Sequence, residues 1–182
     1  MCGIFFYQGS KKDKSLIKEA GKISYRGPDN TTVFSPDDIS TFVFHRLAIN
    51  GLTEAGNQPF KLGNLTLVCN GEIYNHKQLE KKYGIENKTG SDCEVILGMF
   101  KKIGIQKTSE ELDGVFMFVI YDSERKKVWA SRDAFGVRPG FIGLKNGEIG
   151  ISSEAKSLTK LFSGSIEVFK PGTFWCSENP ND

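Results

Sequence analysis

The stretch Val115–Tyr121 reads Val-Phe-Met-Phe-Val-Ile-Tyr and leaves no polar face. Side chains alternate across a strand, so a strand of this composition has to be covered on both sides. It predicts a central strand between two apolar layers, and the 14 Phe of the chain suit a core of packed sheets. Further strands are expected at Ile4–Gln8, Thr41–Ile49, Leu65–Cys69, Val128–Ser131, Gly140–Leu144 and Glu148–Ser152, with two short ones closing the chain. The last two of the named strands flank Asn146-Gly147, a strong hairpin signal. Helical spacing of Leu16, Ile17, Ala20 and Ile23 predicts a helix capped by Asp13 and broken at Tyr25-Arg26-Gly27-Pro28-Asp29. A second helix is expected over Lys77–Tyr83, stopped by Gly84. Ser91 and Glu94 have capping-box spacing ahead of a third helix that carries Val95, Ile96, Met99, Phe100 and Ile103 and ends at Gly104. A fourth is expected near Glu154–Leu161. Strands and helices in this proportion stack as layers, an α+β arrangement.

Length and charge narrow the function classes. The 182 residues suit one domain, 1–182, large enough to bury a real core. A net charge of +2, from 24 basic and 22 acidic residues, argues against nucleic acid or an anionic membrane as the main partner. No apolar run reaches transmembrane length, and the first residues lack a charged-then-apolar leader, so a cytoplasmic location is expected. Cys2, Cys69, Cys93 and Cys176 form no C-x-x-C pair, and with only His45 and His76 no zinc spacing arises. They read as free thiols in a reducing compartment.

Four features carry chemistry. Cys2, with Met1 removed, offers a thiol and an α-amine on one residue; a reference amine pKa of about 7.7–8.0 matches it to general-base work beside a nucleophile. The alternative is a small apolar residue opening a strand. Asn70-Gly71, placed after a strand and before a turn, offers a side-chain amide and a backbone N–H to an oxyanion, or else is a tight turn. Arg46, behind aromatic residues, needs a carboxylate partner, either a substrate's or an internal one. Asp92, with Glu72, can hold an ammonium, or else Asp92 only improves a helix start. Taken together, these groups suit an α-amino acid with a side-chain carbonyl, which is glutamine.

An ordered series of motifs spans nearly the whole chain: Cys2-Gly3-Ile4, Tyr25-Arg26-Gly27-Pro28-Asp29, His45-Arg46-Leu47-Ala48-Ile49, Gln58-Pro59 and Asn70-Gly71-Glu72-Ile73-Tyr74-Asn75. It continues through Ser91-Asp92-Cys93-Glu94, Leu112-Asp113-Gly114, Arg132–Pro139 and Ser152-Ser153-Glu154-Ala155-Lys156. On these residues the chain resembles the glutaminase domain of class II glutamine amidotransferases, among the N-terminal-nucleophile hydrolases, and most of all the N-terminal domain of asparagine synthetases. The resemblance implies a four-layer αββα sandwich with two antiparallel sheets. It implies that Cys2 attacks the amide of L-glutamine to give a thioester and ammonia, and that water then releases glutamate. By the same match Arg46 binds the α-carboxylate and the Ile49 backbone lies near the substrate. Glu72 and Asp92 hold the α-ammonium, and Asn70 with Gly71 forms the oxyanion hole. No cofactor and no metal is implied; His45 is structural and not a partner of Cys2, Cys69 and Cys93 are buried apolar residues, and the Arg26–Asp29 loop packs near the site.

Two departures are local: Gly140 replaces a larger apolar residue, and Asn50-Gly51 differs from the common loop. A third is larger. The sequence shows no P-loop and no ATP-binding synthetase domain, so the ammonia is expected to go to a separate ATP-dependent synthetase subunit or domain. A catalytically silent glutamine-binding or regulatory module is the alternative, and cleavage of a different amide is a third reading.

Overall fold

The computed structural model describes residues 1–10, 14–49 and 52–178. Its strands are β1 (Gly3–Gln8), β2 (Asn30–Phe34), β3 (Ser40–Arg46), β4 (Phe60–Leu62), β5 (Leu65–Ile73), β6 (Gly114–Asp122), β7 (Lys127–Arg132), β8 (Phe141–Lys145), β9 (Glu148–Ser152), β10 (Ile166–Val168) and β11 (Phe174–Cys176). The α-helices are α1 (Lys14–Gly21), α2 (His76–Tyr83) and α3 (Val95–Glu111). The strands form a six-stranded sheet, β10-β8-β9-β1-β3-β2, and a five-stranded sheet, β11-β7-β6-β5-β4, with antiparallel pairing in both.

Strand β6 shows why the molecule is layered. Its Met117, Val119 and Tyr121 pack with Ile4 and Phe6 of β1 and Phe42 and Phe44 of β3, between the sheets. Phe116, Phe118 and Ile120 point the other way, onto Leu79 of α2 and Val95, Ile96 and Met99 of α3. On the far side, Phe5, Tyr7 and Val43 of the six-stranded sheet meet Leu16 and Ala20 of α1 together with Leu158, Leu161 and Phe162. This is the αββα sandwich. Burial of these faces contributes about 25 cal/mol for each Å² removed from water.

Several local expectations need correction. The strand from β3 stops at Arg46, short of Ile49. β5 runs through Asn70-Gly71 to Ile73 because β6 pairs with it over its whole length, so the dipeptide is a strand segment and not a turn. Gly104 interrupts α3 with φ 75° and ψ 177°, yet the chain resumes helix to Glu111. Ser91 accepts from the Cys93 N–H (3.4 Å), but Glu94 does not close a capping box. Its carboxylate instead accepts from the Lys88 and Thr89 N–H groups, 2.9 and 2.8 Å. Residues Glu154–Leu161 form only a 3-10 turn at Ala155–Ser157, followed by further turns. β2 is an unforeseen edge strand. Asp13 and Asn50-Gly51 lie outside the described residues. At Gly140 the missing side-chain volume is taken by Met117, whose Sδ lies 2.7 Å from where a Cβ would stand. Among the described residues no helix is long and apolar enough to cross a membrane.

Candidate active site

Strand parity assembles the site. Cys2 precedes β1 in the alternation that sends Ile4 and Phe6 between the sheets, and Arg46 continues the inward series of Phe42 and Phe44. Gly3 pairs with His45, which sets Cys2 beside Arg46. Asn70 and Glu72 continue the inward face of Val68 on β5. One cavity at this end of the inter-sheet layer is lined by Cys2, Arg46, Ile49, Asn70, Gly71, Glu72 and Asp92, together with Met1, Gln58 and Arg138. All seven residues expected from sequence are therefore gathered in one place.

The nucleophile candidate is held through its backbone. The Cys2 carbonyl accepts from Arg26 Nε at 3.1 Å, and Arg26 Nη1 is fixed by Glu154 at 2.9 Å. Beyond it, Ile4 N–H donates to Ser153 Oγ and Ser152 Oγ donates to the Ile4 carbonyl, 3.0 and 3.1 Å. The Leu47 N–H donates to Cys2 Sγ at 3.4 Å. Burial pushes the Cys2 thiol above its ordinary pKa, against the pull of that N–H, so at neutral pH the sulfur keeps its proton. It needs a base.

His45 is not that base. It points to the opposite face, with Nε2 donating to the Ala20 carbonyl at 3.0 Å and Nδ1 accepting from the Thr31 hydroxyl at 2.9 Å. Burial lowers its pKa from 6.5, so the folded protein favours the neutral ring. The unfolded chain takes the proton first as pH falls. The stability held by neutral His45 is thus present above pH 6.5 and is lost as pH falls below it. Denaturant midpoints should drop more steeply on acidification through this range for the wild type than for His45→Gln; equal slopes would show that His45 is not the group responsible.

The polar groups of the cavity are unequally satisfied. Arg46 Nη1 donates to the Thr53 carbonyl (3.0 Å) and to Asn57 Oδ1 (2.7 Å), which fixes its direction. Asp92 Oδ2 accepts the Ile73 N–H at 2.6 Å. Glu72 is paired with Arg138 Nη2 at 2.9 Å, a partner that the sequence did not single out. Among the described residues, two buried side-chain donors lack a hydrogen-bond partner, Asn70 Nδ2 and Arg138 Nε. Both belong to residues of this cavity. Leaving a buried donor unmade costs about 1–3 kcal/mol, so a pair of them in one cavity marks a place for acceptor atoms.

The edge of β5 supplies another donor. In an antiparallel strand, alternate residues direct N–H and C=O to the same side. The Cys69 N–H donates to Gln58 Oε1 and the Ile73 N–H to Asp92, both away from β6. Gly71, between them, presents its N–H on that same open edge. It also has no room for a side chain: a Cβ would stand 2.6 Å from the Val115 carbonyl oxygen. Cys69 and Cys93 are buried, and contact with the Cys69 thiol plus full burial hold the Cys93 thiol well above its ordinary pKa, so Cys93 stays neutral. No group of three or more His, Cys, Asp or Glu among the described residues could hold a metal ion.

Asparagine synthetase (glutamine-hydrolysing) of Gallus gallus is 40% identical over 190 residues, covering 96% of this chain and 33% of the relative. A probable asparagine synthetase of Acanthamoeba polyphaga mimivirus is 40% identical over 184 residues, with the same coverage. The chain thus spans about a third of the length of these curated relatives. Among solved structures, glutamine phosphoribosylpyrophosphate amidotransferase from B. subtilis shares the fold with a TM-score of 0.78 at 18% identity, over 96% of this chain and 47% of that one. A family model described as the glutamine amidotransferase domain matches residues 1–172, and the chain belongs to that family, with the fold of its N-terminal-nucleophile members.

Proposed function

We propose that the protein hydrolyses the side-chain amide of L-glutamine, with Cys2 as nucleophile and its own α-amine, freed by loss of Met1, as base. The observation that carries this reading is the meeting of the thiol with the orphaned Asn70 amide, two arginines and two carboxylates in one cavity. The amine takes the thiol proton as sulfur adds to the amide carbon. The carbonyl electron pair moves to oxygen, where Asn70 Nδ2 and the Gly71 N–H receive it. Collapse of this intermediate breaks the C–N bond, and the amine's proton leaves with ammonia. Water, activated by the same amine, then cleaves the thioester to glutamate. Arg46 binds the α-carboxylate, Glu72 and Asp92 the α-ammonium, and the Ile49 backbone flanks the substrate. The whole of 1–182 acts as a single glutaminase domain, and the ammonia passes to a separate ATP-dependent synthetase subunit or domain.

The test is glutamate release from glutamine without ATP, using protein whose free Cys2 terminus is verified by mass. Turnover is expected. Arg46→Ala should raise KM by about 10- to 10²-fold with little change in kcat, as fits loss of charge-assisted bonds to a group remote from the reacting amide. Protein with a free Cys2 that binds glutamine but never releases glutamate would instead be a silent glutamine-binding module.

A further inference from the structure

Strand β4 pairs with β5 only from Leu65 to Leu67, opposite Phe60. Past that point the outer edge of β5 has no neighbouring strand among the described residues, and the ladder would end three residues before Asn70. It does not end there, because one side chain continues it. Gln58 Oε1 accepts the Cys69 N–H at 2.6 Å, and Gln58 Nε2 donates to the Cys69 carbonyl at 3.0 Å. This carboxamide supplies the two-bond ring that an opposing strand residue makes in an antiparallel pair. Gln58 is 6% exposed, lines the cavity and therefore sits where water would otherwise reach the Cys69 backbone. On the next outward position but one, Asp92 takes the Ile73 N–H. Gly71 is thus bracketed, with a side-chain clamp on each side of it.

We propose that Gln58 is a positioning residue for the oxyanion hole: its amide stands in for a strand beside Cys69 and so fixes where the Asn70 side chain and the Gly71 N–H point. This rests on the function proposed above. Gln58 touches neither the thiol nor a reacting atom in this scheme; it acts through the backbone of residues 69–71. A hole misaimed by even a fraction of an ångström loses stabilisation of the intermediate while glutamine, held by Arg46, Glu72 and Asp92, still binds. The signature is a loss in kcat with KM preserved.

The experiment compares wild type, Gln58→Met and Gln58→Glu, with kcat expressed per Cys2 thiol titrated by iodoacetamide. Gln58→Met keeps the shape and removes both bonds. It should lower kcat by about 10- to 10²-fold with KM within about threefold, and glutamine should bind equally well when the substitution is placed in a Cys2→Ala background. Gln58→Glu decides the case even if the Met variant does not fold. As a carboxylate it can only accept, but once protonated it both donates and accepts. Burial raises the pKa of such a group. Its kcat relative to wild type should therefore recover as pH is lowered from about 8 to about 6. Wild-type kcat in Gln58→Met, or a Gln58→Glu ratio that stays flat or falls on acidification, overturns the proposal. Absence of turnover in the wild type overturns the glutaminase reading itself and is a distinct result.

Discussion

Cys2→Ala should abolish glutamate release, by about 10⁴-fold or more, because the other two thiols that line the cavity, Cys69 and Cys93, are buried and carry no α-amine, and Cys93 is held protonated. The companion result concerns Met1. The part-buried Cys2 thiol keeps its proton at neutral pH, and His45, which strand pairing sets opposite the adjacent Gly3, is engaged on the other face of the sheet. In the proposed mechanism, deprotonation then depends on the α-amine of Cys2. While Met1 is attached, that nitrogen is an amide without basicity, and Met1 itself lines the cavity. Protein that retains Met1 should bind the iodoacetamide probe slowly and turn glutamine over about 10²- to 10⁴-fold more slowly than the trimmed form, the usual contribution of a general base. Both forms can be separated by mass and assayed side by side. Equal rates would remove the amine from the mechanism and leave the thiol without a base.

The layers were legible because hydrophobic alternation is a local signal. Val115–Tyr121 announced a doubly covered strand, and β6 sends Met117, Val119 and Tyr121 one way and Phe116, Phe118 and Ile120 the other. The gathering of Cys2, Arg46, Asn70 and Glu72 follows from the same period of two once the strands are aligned. What was hidden depends on partners distant in sequence. β2 is mostly exposed and pairs only with β3, so its Asn-Thr-Thr-Val-Phe carries no buried face to read. Asn70-Gly71 has turn composition, and only the register with Met117 and Phe116 makes it a strand. The segment after Glu154 has apolar residues at helical spacing. Its backbone is instead held by Ser157 Oγ, which lies 2.8 Å from the Glu154 carbonyl oxygen and 2.7 Å from Ser152 Oγ and shares its one proton between them. Gln58 and Arg138 stood inside recognised motifs, but nothing in one sequence ties Gln58 to the Cys69 backbone or Arg138 to Glu72 across 66 positions.

Asn70→Ala should separate activity from stability in a way that few substitutions do. In the resting protein Asn70 is 1% exposed and its Nδ2 donor is unmade. A structural asparagine in such a place would have been paired, since nearly all buried polar groups are. In the mechanism proposed above, the cost of leaving this one open is recovered only when an oxyanion forms, which is how a site stabilises a transition state more than its substrate. Removing the amide should lower kcat by about 10²- to 10³-fold, with KM changed little, because the ground-state carbonyl gains less from the donor than the oxyanion does. The same substitution removes an unsatisfied polar group from the interior. It should leave folding stability unchanged or raised, offset in part by the small cavity left behind. Asn70→Asp makes the converse point: it sets an acceptor against the developing negative charge, and its kcat should fall at least as far as that of Asn70→Ala. Steady-state kinetics and denaturant unfolding on the same samples check both halves. An Asn70→Ala protein that is destabilised by several kcal/mol yet keeps its kcat would make Asn70 a scaffold residue and leave the Gly71 N–H as the lone oxyanion donor.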